Sequence, residues 1–271
     1  MSLVETEWLL ENLNNVKIID CSWHMPQTKR DGYEEYKKSH IPGAIFFDLD
    51  KNSKKNTNLP HMLTDKKDWE KIVSQMGIDI NDKIIIYDNS DVISACRCWY
   101  NFIYFGHNPK LVHVLNGGLK KWIKENKKIT DEISKIEITN YKANEKKELV
   151  KSKNLIDENI KSPKFKIIDG RSQERFDGNV PEPREGLRSG SIPNSFCIPF
   201  NKCLNHDQTF KKKDKLKLVF ETFIKDLNQK DIVFSCGSGV TACVLALSYS
   251  LINDKYLPII YDGSWAEYGI I

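Results

Sequence analysis

Asp231-Ile232-Val233-Phe234-Ser235-Cys236-Gly237-Ser238-Gly239-Val240-Thr241 is the stretch that decides the fold. A short run of apolar, partly β-branched residues bounded by turn formers predicts a buried parallel strand. The glycines that follow predict a tight turn, and the apolar residues from Ala242 to Ile252 predict a helix packed on the strand. Strand, Gly-rich turn and helix in succession define an α/β unit, whose chemistry collects at the carboxyl end of its strand. Here the residue at that end is Cys236.

The same pattern stands earlier in the chain. Lys83-Ile84-Ile85-Ile86-Tyr87-Asp88 parallels the strand before Cys236, and Asp88 takes the place of the cysteine. Val16-Lys17-Ile18-Ile19-Asp20 returns as Phe165-Lys166-Ile167-Ile168-Asp169. His40-Ile41-Pro42-Gly43-Ala44 returns as Ser191-Ile192-Pro193-Asn194-Ser195, and Leu115-Asn116-Gly117-Gly118-Leu119 as Tyr261-Asp262-Gly263-Ser264-Trp265. Four matches in one order, each displaced by about 150 residues, indicate two copies of a whole domain rather than a solenoid. Residues 129–150 are rich in Lys, Glu and Asn and suit a linker over the surface. The expected division is therefore 1–128, 129–150 and 151–271. Helical periodicity lies between the strands, at Trp69, Ile72, Val73 and Met76 in the first copy and at Leu216, Leu218, Val219 and Phe223 in the second.

Composition narrows the function classes. Of 271 residues, 40% are hydrophobic and 29% charged, which suits a globular protein and not a disordered one. No apolar run approaches the roughly 18 residues that span a bilayer, so no membrane role is expected. The net charge of +4 is too small to point to nucleic acid. Seven cysteines without a small-domain framework, behind an N-terminus that carries acids where a signal peptide needs bases, suit free thiols in the cytoplasm.

The cysteine loop is the feature with chemistry in it. Gly237 and Gly239 let successive backbone N–H groups of Gly237, Ser238, Gly239, Val240 and Thr241 point into one concavity, and the helix that follows adds the positive end of its dipole. Both favour an anion there, so the arrangement suits a nucleophilic thiolate. Cys243, one turn into the helix, suits ordinary packing. Cys96-x-Cys98 has no second cysteine pair or neighbouring His and makes a poor metal site. A tyrosine-phosphatase loop would need an Arg six positions after the cysteine, and that position is Ala242.

The loop CGSGVTA, Tyr36-x-x-x-His40-Ile41-Pro42-Gly43-Ala44 and Tyr261-Asp262-Gly263-Ser264-Trp265-Ala266-Glu267-Tyr268 resemble the two-domain rhodanese superfamily, and within it the 3-mercaptopyruvate sulfurtransferases. The resemblance covers nearly the whole chain. It implies an α/β fold of two tandem rhodanese-like domains, each a parallel sheet flanked by helices, with the active cysteine only in the second. It implies transfer of sulfur from a small donor, through a persulfide on Cys236, to a thiol, a reduced thioredoxin-like protein or cyanide. No metal or organic cofactor is implied.

Members of the superfamily that prefer thiosulfate carry basic residues directly after the cysteine. Gly237 and Ser238 are neutral, which favours mercaptopyruvate, whose charge lies away from its sulfur. By resemblance, Arg175 and Arg184 in RFDGNVPEPR bind the donor's carboxylate and carbonyl, with pairing to Glu174, Glu182 or Glu185 as the structural alternative. Also by resemblance, Ser238, His61 and Asp50 polarise the substrate carbonyl. His40 is expected to bond within a turn, and Asp169 and Arg171 to form an ion pair. Two other functions stay open: a thiosulfate sulfurtransferase, and a non-catalytic binding module that kept the fold.

Overall fold

The computed structural model describes residues 2–271. They form two compact units. The first holds residues up to 55 together with 63–146 and 206–209, and the second holds 56–62, 147–205 and 210–271.

The first unit is built on five strands, β1 (Leu3–Val4), β2 (Lys17–Asp20), β3 (Ala44–Phe46), β4 (Ile84–Tyr87) and β5 (Val112–Leu115), in the order β1-β5-β4-β2-β3. Every pairing is parallel. Its helices are α1 (Thr6–Asn12), α2 (Gly32–Lys38), α3 (Lys66–Gln75), α4 (Ala95–Tyr104) and α5 (Gly118–Lys124). β4 is central and buried on both faces. Ile84, Ile85 and Ile86 are each 0% exposed, so each contributes about 1.5–3 kcal/mol of apolar burial. α3 turns Trp69 and Val73 inward, as its periodicity predicts. Residues 129–146 run along this unit. Tyr141 is buried with its hydroxyl 3.2 Å from His107 Nδ1, and its amide donates to Ser74 Oγ. His40 is buried, its Nδ1 2.7 Å from the Tyr36 carbonyl and its Nε2 3.2 Å from that of Glu132.

The second unit repeats the plan. Its strands are β6 (Val150–Lys151), β7 (Lys166–Asp169), β8 (Phe196–Cys197), β9 (Ile232–Ser235) and β10 (Ile260–Tyr261), and the order β6-β10-β9-β7-β8 is that of the first unit. The register repeats too: Asp20 stands opposite Tyr87, and Asp169 opposite Ser235. The helices are α6 (Lys153–Lys161), α7 (Gln173–Phe176), α8 (Lys213–Glu221), α9 (Val240–Ser250) and α10 (Ser264–Tyr268). The expected helix after the cysteine loop begins two residues earlier than its apolar pattern suggests, because Gly239 in the left-handed region (φ 79°) already turns the chain into it. In α8 the inward positions are Leu216 and Phe220, whereas Leu218 is 61% exposed. Its expected place on the apolar stripe fails because residues two apart cannot share a helix face.

Equivalent acids in the two units have different surroundings. Asp169 is paired with Arg171 at 2.9 Å. Two residues after Asp20 stands Ser22, whose amide and hydroxyl donate to Asp20 Oδ1 but bring no charge. Burial pushes Asp20 up to about 6, and burial pushes Asp88, at the end of β4, up to about 7. Each takes up its proton more readily folded than unfolded. Their contribution to stability is therefore complete at low pH and is lost as pH rises through about 6 to 7. Asp88→Asn should lower the melting point overall, since Asn cannot accept from both amides that Asp88 serves, yet flatten its decline between about pH 4 and pH 7. A series of melting curves across that range checks this, and an unchanged slope would refute it.

Candidate active site

β9 delivers Cys236 at its C-terminal end, where the side chain is only 1% exposed. The first turn of α10 grips the loop backbone: Trp265 N donates to Cys236 O at 2.9 Å, and Ala266 N to Gly237 O at 2.8 Å. Gly239 caps α9 in a conformation that glycine adopts without strain. Behind it Cys243 is buried and its thiol donates to Gly239 O, a packing role that matches its expected one.

Gly237 has a further reason to be glycine. A Cβ there would stand 3.2 Å from Arg175 Nη2 and 3.9 Å from Arg184 Nη1. Two guanidinium groups thus lie against the residue that follows the cysteine. The loop carries no cation of its own, but the segment after β7 supplies two.

Arg175 and Arg184 are held differently. Glu182, with a side chain 1% exposed, accepts from Arg175 Nε at 3.2 Å and Nη2 at 2.5 Å, and from Arg171 Nη1 at 2.8 Å. Arg171 in turn is paired with Asp169 and lies 4.5 Å from the ring centroid of Trp265. Asp169, Arg171, Glu182 and Arg175 form a charge-neutral chain from the end of β7 to the loop. Pairing of Arg175 with Glu182 and placement at Gly237 therefore hold together: one edge of the guanidinium is fixed while the other is presented.

Arg184 Nη2 lies 3.5 Å from Ser238 Oγ, and the same hydroxyl lies 2.9 Å from His61 Nδ1. A guanidinium can only donate, so Ser238 Oγ accepts from Arg184. His61 is 4% exposed and sits at φ 59°, on the short stretch 56–62 that groups with the second unit. Cys236, Ser238, His61, Arg175 and Arg184 thus belong to one compact unit although His61 lies far away in sequence. Asp50 belongs to the first unit, where its Oδ2 accepts from Trp23 Nε1 at 2.9 Å.

In the first unit the residue at the cysteine's place uses its own loop differently. The Asp88 carboxylate accepts from the amides of Ser90 at 3.0 Å and Ala95 at 2.7 Å, and Asp88 O accepts from Leu119 N at 2.9 Å. The backbone clamp is kept, while a fixed carboxylate takes the loop's donors. Cys96 and Cys98 are buried in α4 of this unit.

A strand-end cysteine in a Gly-rich loop, on a parallel five-stranded fold present twice, defines a tandem rhodanese architecture, and the chain belongs to the rhodanese family. The rhodanese-like domain matches residues 5–125 and again 152–270. Thiosulfate/3-mercaptopyruvate sulfurtransferase 1, mitochondrial, of Arabidopsis thaliana is 38% identical over 98% of this chain and 75% of its own. The 3-mercaptopyruvate sulfurtransferase of Homo sapiens is 35% identical over 98% of this chain and 91% of its own. The crystal structure of SseA from Escherichia coli, described as having the rhodanese fold of 3-mercaptopyruvate sulfotransferases, superposes with a TM-score of 0.87 at 29% identity, covering 98% of this chain and 99% of that one. The chain is an enzyme of the sulfurtransferase class.

Glu182 and Ser264 are the site residues whose part the sequence alone leaves unread. Glu182 was legible only as a possible partner of an arginine, and Ser264 only as a letter in the Tyr-Asp-Gly-Ser-Trp motif.

Proposed function

We propose that the enzyme takes sulfur from 3-mercaptopyruvate onto Cys236 and passes it to a thiol, a reduced thioredoxin-like protein or cyanide. The observation that carries this reading is the pair of guanidiniums at Gly237, a receptor for a planar carboxylate beside the strand-end cysteine. Cys236 thiolate attacks the donor's thiol sulfur and forms the S–S bond. The donor's C–S bond breaks, and its electron pair leaves on carbon as the enolate of pyruvate. The proton carried by the transferred sulfur then reaches that carbon, giving pyruvate and a Cys236 persulfide anion. Amides of residues 237–241 face that anion. Ser238, oriented between Arg184 and His61, donates toward the substrate carbonyl as charge builds on its oxygen, with Asp50 as the third member of the group. An acceptor thiolate then attacks the outer sulfur and restores the Cys236 thiolate.

The first domain, residues 1–128, carries no sulfur-accepting cysteine and serves as a partner that lends His61 and Asp50, with the stretch 129–150 as the linker and residues 151–271 as the catalytic domain that carries Cys236. All seven cysteines are free, which supports a reducing compartment and, in this reading, the cytoplasm. No helix among the described residues is long and apolar enough to cross a membrane.

Thiosulfate is the second reading, and the same two guanidiniums favour it, since two cations beside Gly237 also suit a compact dianion. The neutrality of Gly237 and Ser238 therefore separates the donors less sharply than the sequence suggests. Values of kcat/KM for both donors, each against a small thiol, a thioredoxin and cyanide, decide between them. A ratio favouring thiosulfate would replace the first reading with the second, and no transfer with either donor would return the chain to a binding role.

A further inference from the structure

The internal duplication supplies a control for every residue around Cys236. Gly117-Gly118-Leu119 and Gly263-Ser264-Trp265 are equivalent corners, and each donates one amide to the strand-end residue, Leu119 N to Asp88 O and Trp265 N to Cys236 O, both at 2.9 Å. The middle residue is left-handed in both, φ 55° at Gly118 and φ 50° at Ser264. In the copy whose strand ends in Asp88 instead of a cysteine this residue is glycine, as that backbone favours. A Cβ added there would lie 2.4 Å from Asp88 O. In the copy with Cys236 the same strained position carries a side chain that is 0% exposed.

The side chain has a specific occupation. Ser264 Oγ donates to Tyr261 O at 2.8 Å and accepts from Cys236 N at 3.2 Å. Both polar groups of the Cys236 backbone are thus tied to one corner, N–H to Ser264 and C=O to Trp265. Holding both ends fixes the direction in which Cα launches the thiol. A backbone strain of this kind persists where surrounding contacts over-determine it, and it concentrates at functional positions.

We propose that Ser264 is a positioning residue for the nucleophile: its buried hydroxyl anchors the Cys236 amide and thereby sets the attack geometry of the thiolate. This rests on the reading of Cys236 as the sulfur-accepting residue. Ser264→Gly is the informative variant, because glycine relaxes the left-handed backbone while removing only the hydroxyl anchor. The expected result is an unchanged or higher melting point, an unchanged donor KM and about a tenfold slower single-turnover loading of sulfur onto Cys236, the loss of one hydrogen bond's positioning. Ser264→Ala keeps the strain and loses the hydroxyl, so it should load as slowly and melt lower. Wild-type loading by Ser264→Gly overturns the proposal. So does slow loading by Ser264→Ala alone, since that would trace the defect to strain. Absence of sulfur on Cys236 in the wild-type enzyme would instead overturn the underlying reading and not the geometry of the anchor.

Discussion

Cys236→Ser is expected to lose transfer from every donor to every acceptor, down to the background of the uncatalysed reaction. Oxygen cannot form the S–S bond on which a ping-pong cycle depends. The places of the other cysteines make them poor replacements. Cys243 is spent on Gly239 O, and Cys96 lies buried in α4 of the first unit. Cys243→Ser and Cys96→Ser should accordingly keep most of the activity. Steady-state rates with mercaptopyruvate and with thiosulfate make the test. Substantial turnover by Cys236→Ser with either donor would mean that the sulfur travels by another route.

The next largest effect is expected at the two arginines, and there it should depend on the donor. Arg184→Lys keeps a positive charge but loses the planar fork, and with it the donation to Ser238 Oγ. A charge-assisted hydrogen bond contributes roughly 1.5–3 kcal/mol, so kcat/KM for mercaptopyruvate should fall about tenfold to a hundredfold. The fall should be smaller for thiosulfate, which has no carboxylate to orient. Arg175→Lys should show the same contrast with an added loss of stability, because Arg175 also completes the buried pair with Glu182. Melting curves separate the two contributions. Equal losses for both donors in well-folded Arg184→Lys would mean that this side chain does not read the carboxylate.

The architecture was legible because each rule it obeys is local. Ile84 to Ile86 and Ile232 to Phe234 are too short for helices and too apolar for surface strands, so they read as buried parallel strands, and the repeated Lys-Ile-Ile-Asp marks equivalent positions in both sheets. The cysteine loop was legible because Gly-x-Gly after a strand has few other uses. What escaped depends on contacts across long separations. Nothing in the stretch 56–62 announces that it groups with the second unit and brings His61 to Ser238. Nothing in Glu182 distinguishes it from Glu174 or Glu185 until folding buries it between Arg171 and Arg175. Leu218 misled because a run of apolar residues in α8 is longer than the stripe the helix can bury. Ser264 escaped because its torsion angle, and not its chemistry, sets it apart.

Loading the purified enzyme with 3-mercaptopyruvate in the absence of any acceptor, followed by intact-mass and peptide mass spectrometry, tests the central claim most directly. One added sulfur atom on the peptide that contains Cys236, formed together with one equivalent of pyruvate and removed by a thiol, is the predicted result. Pyruvate release without added sulfur on Cys236, or sulfur found on a different cysteine, would contradict it.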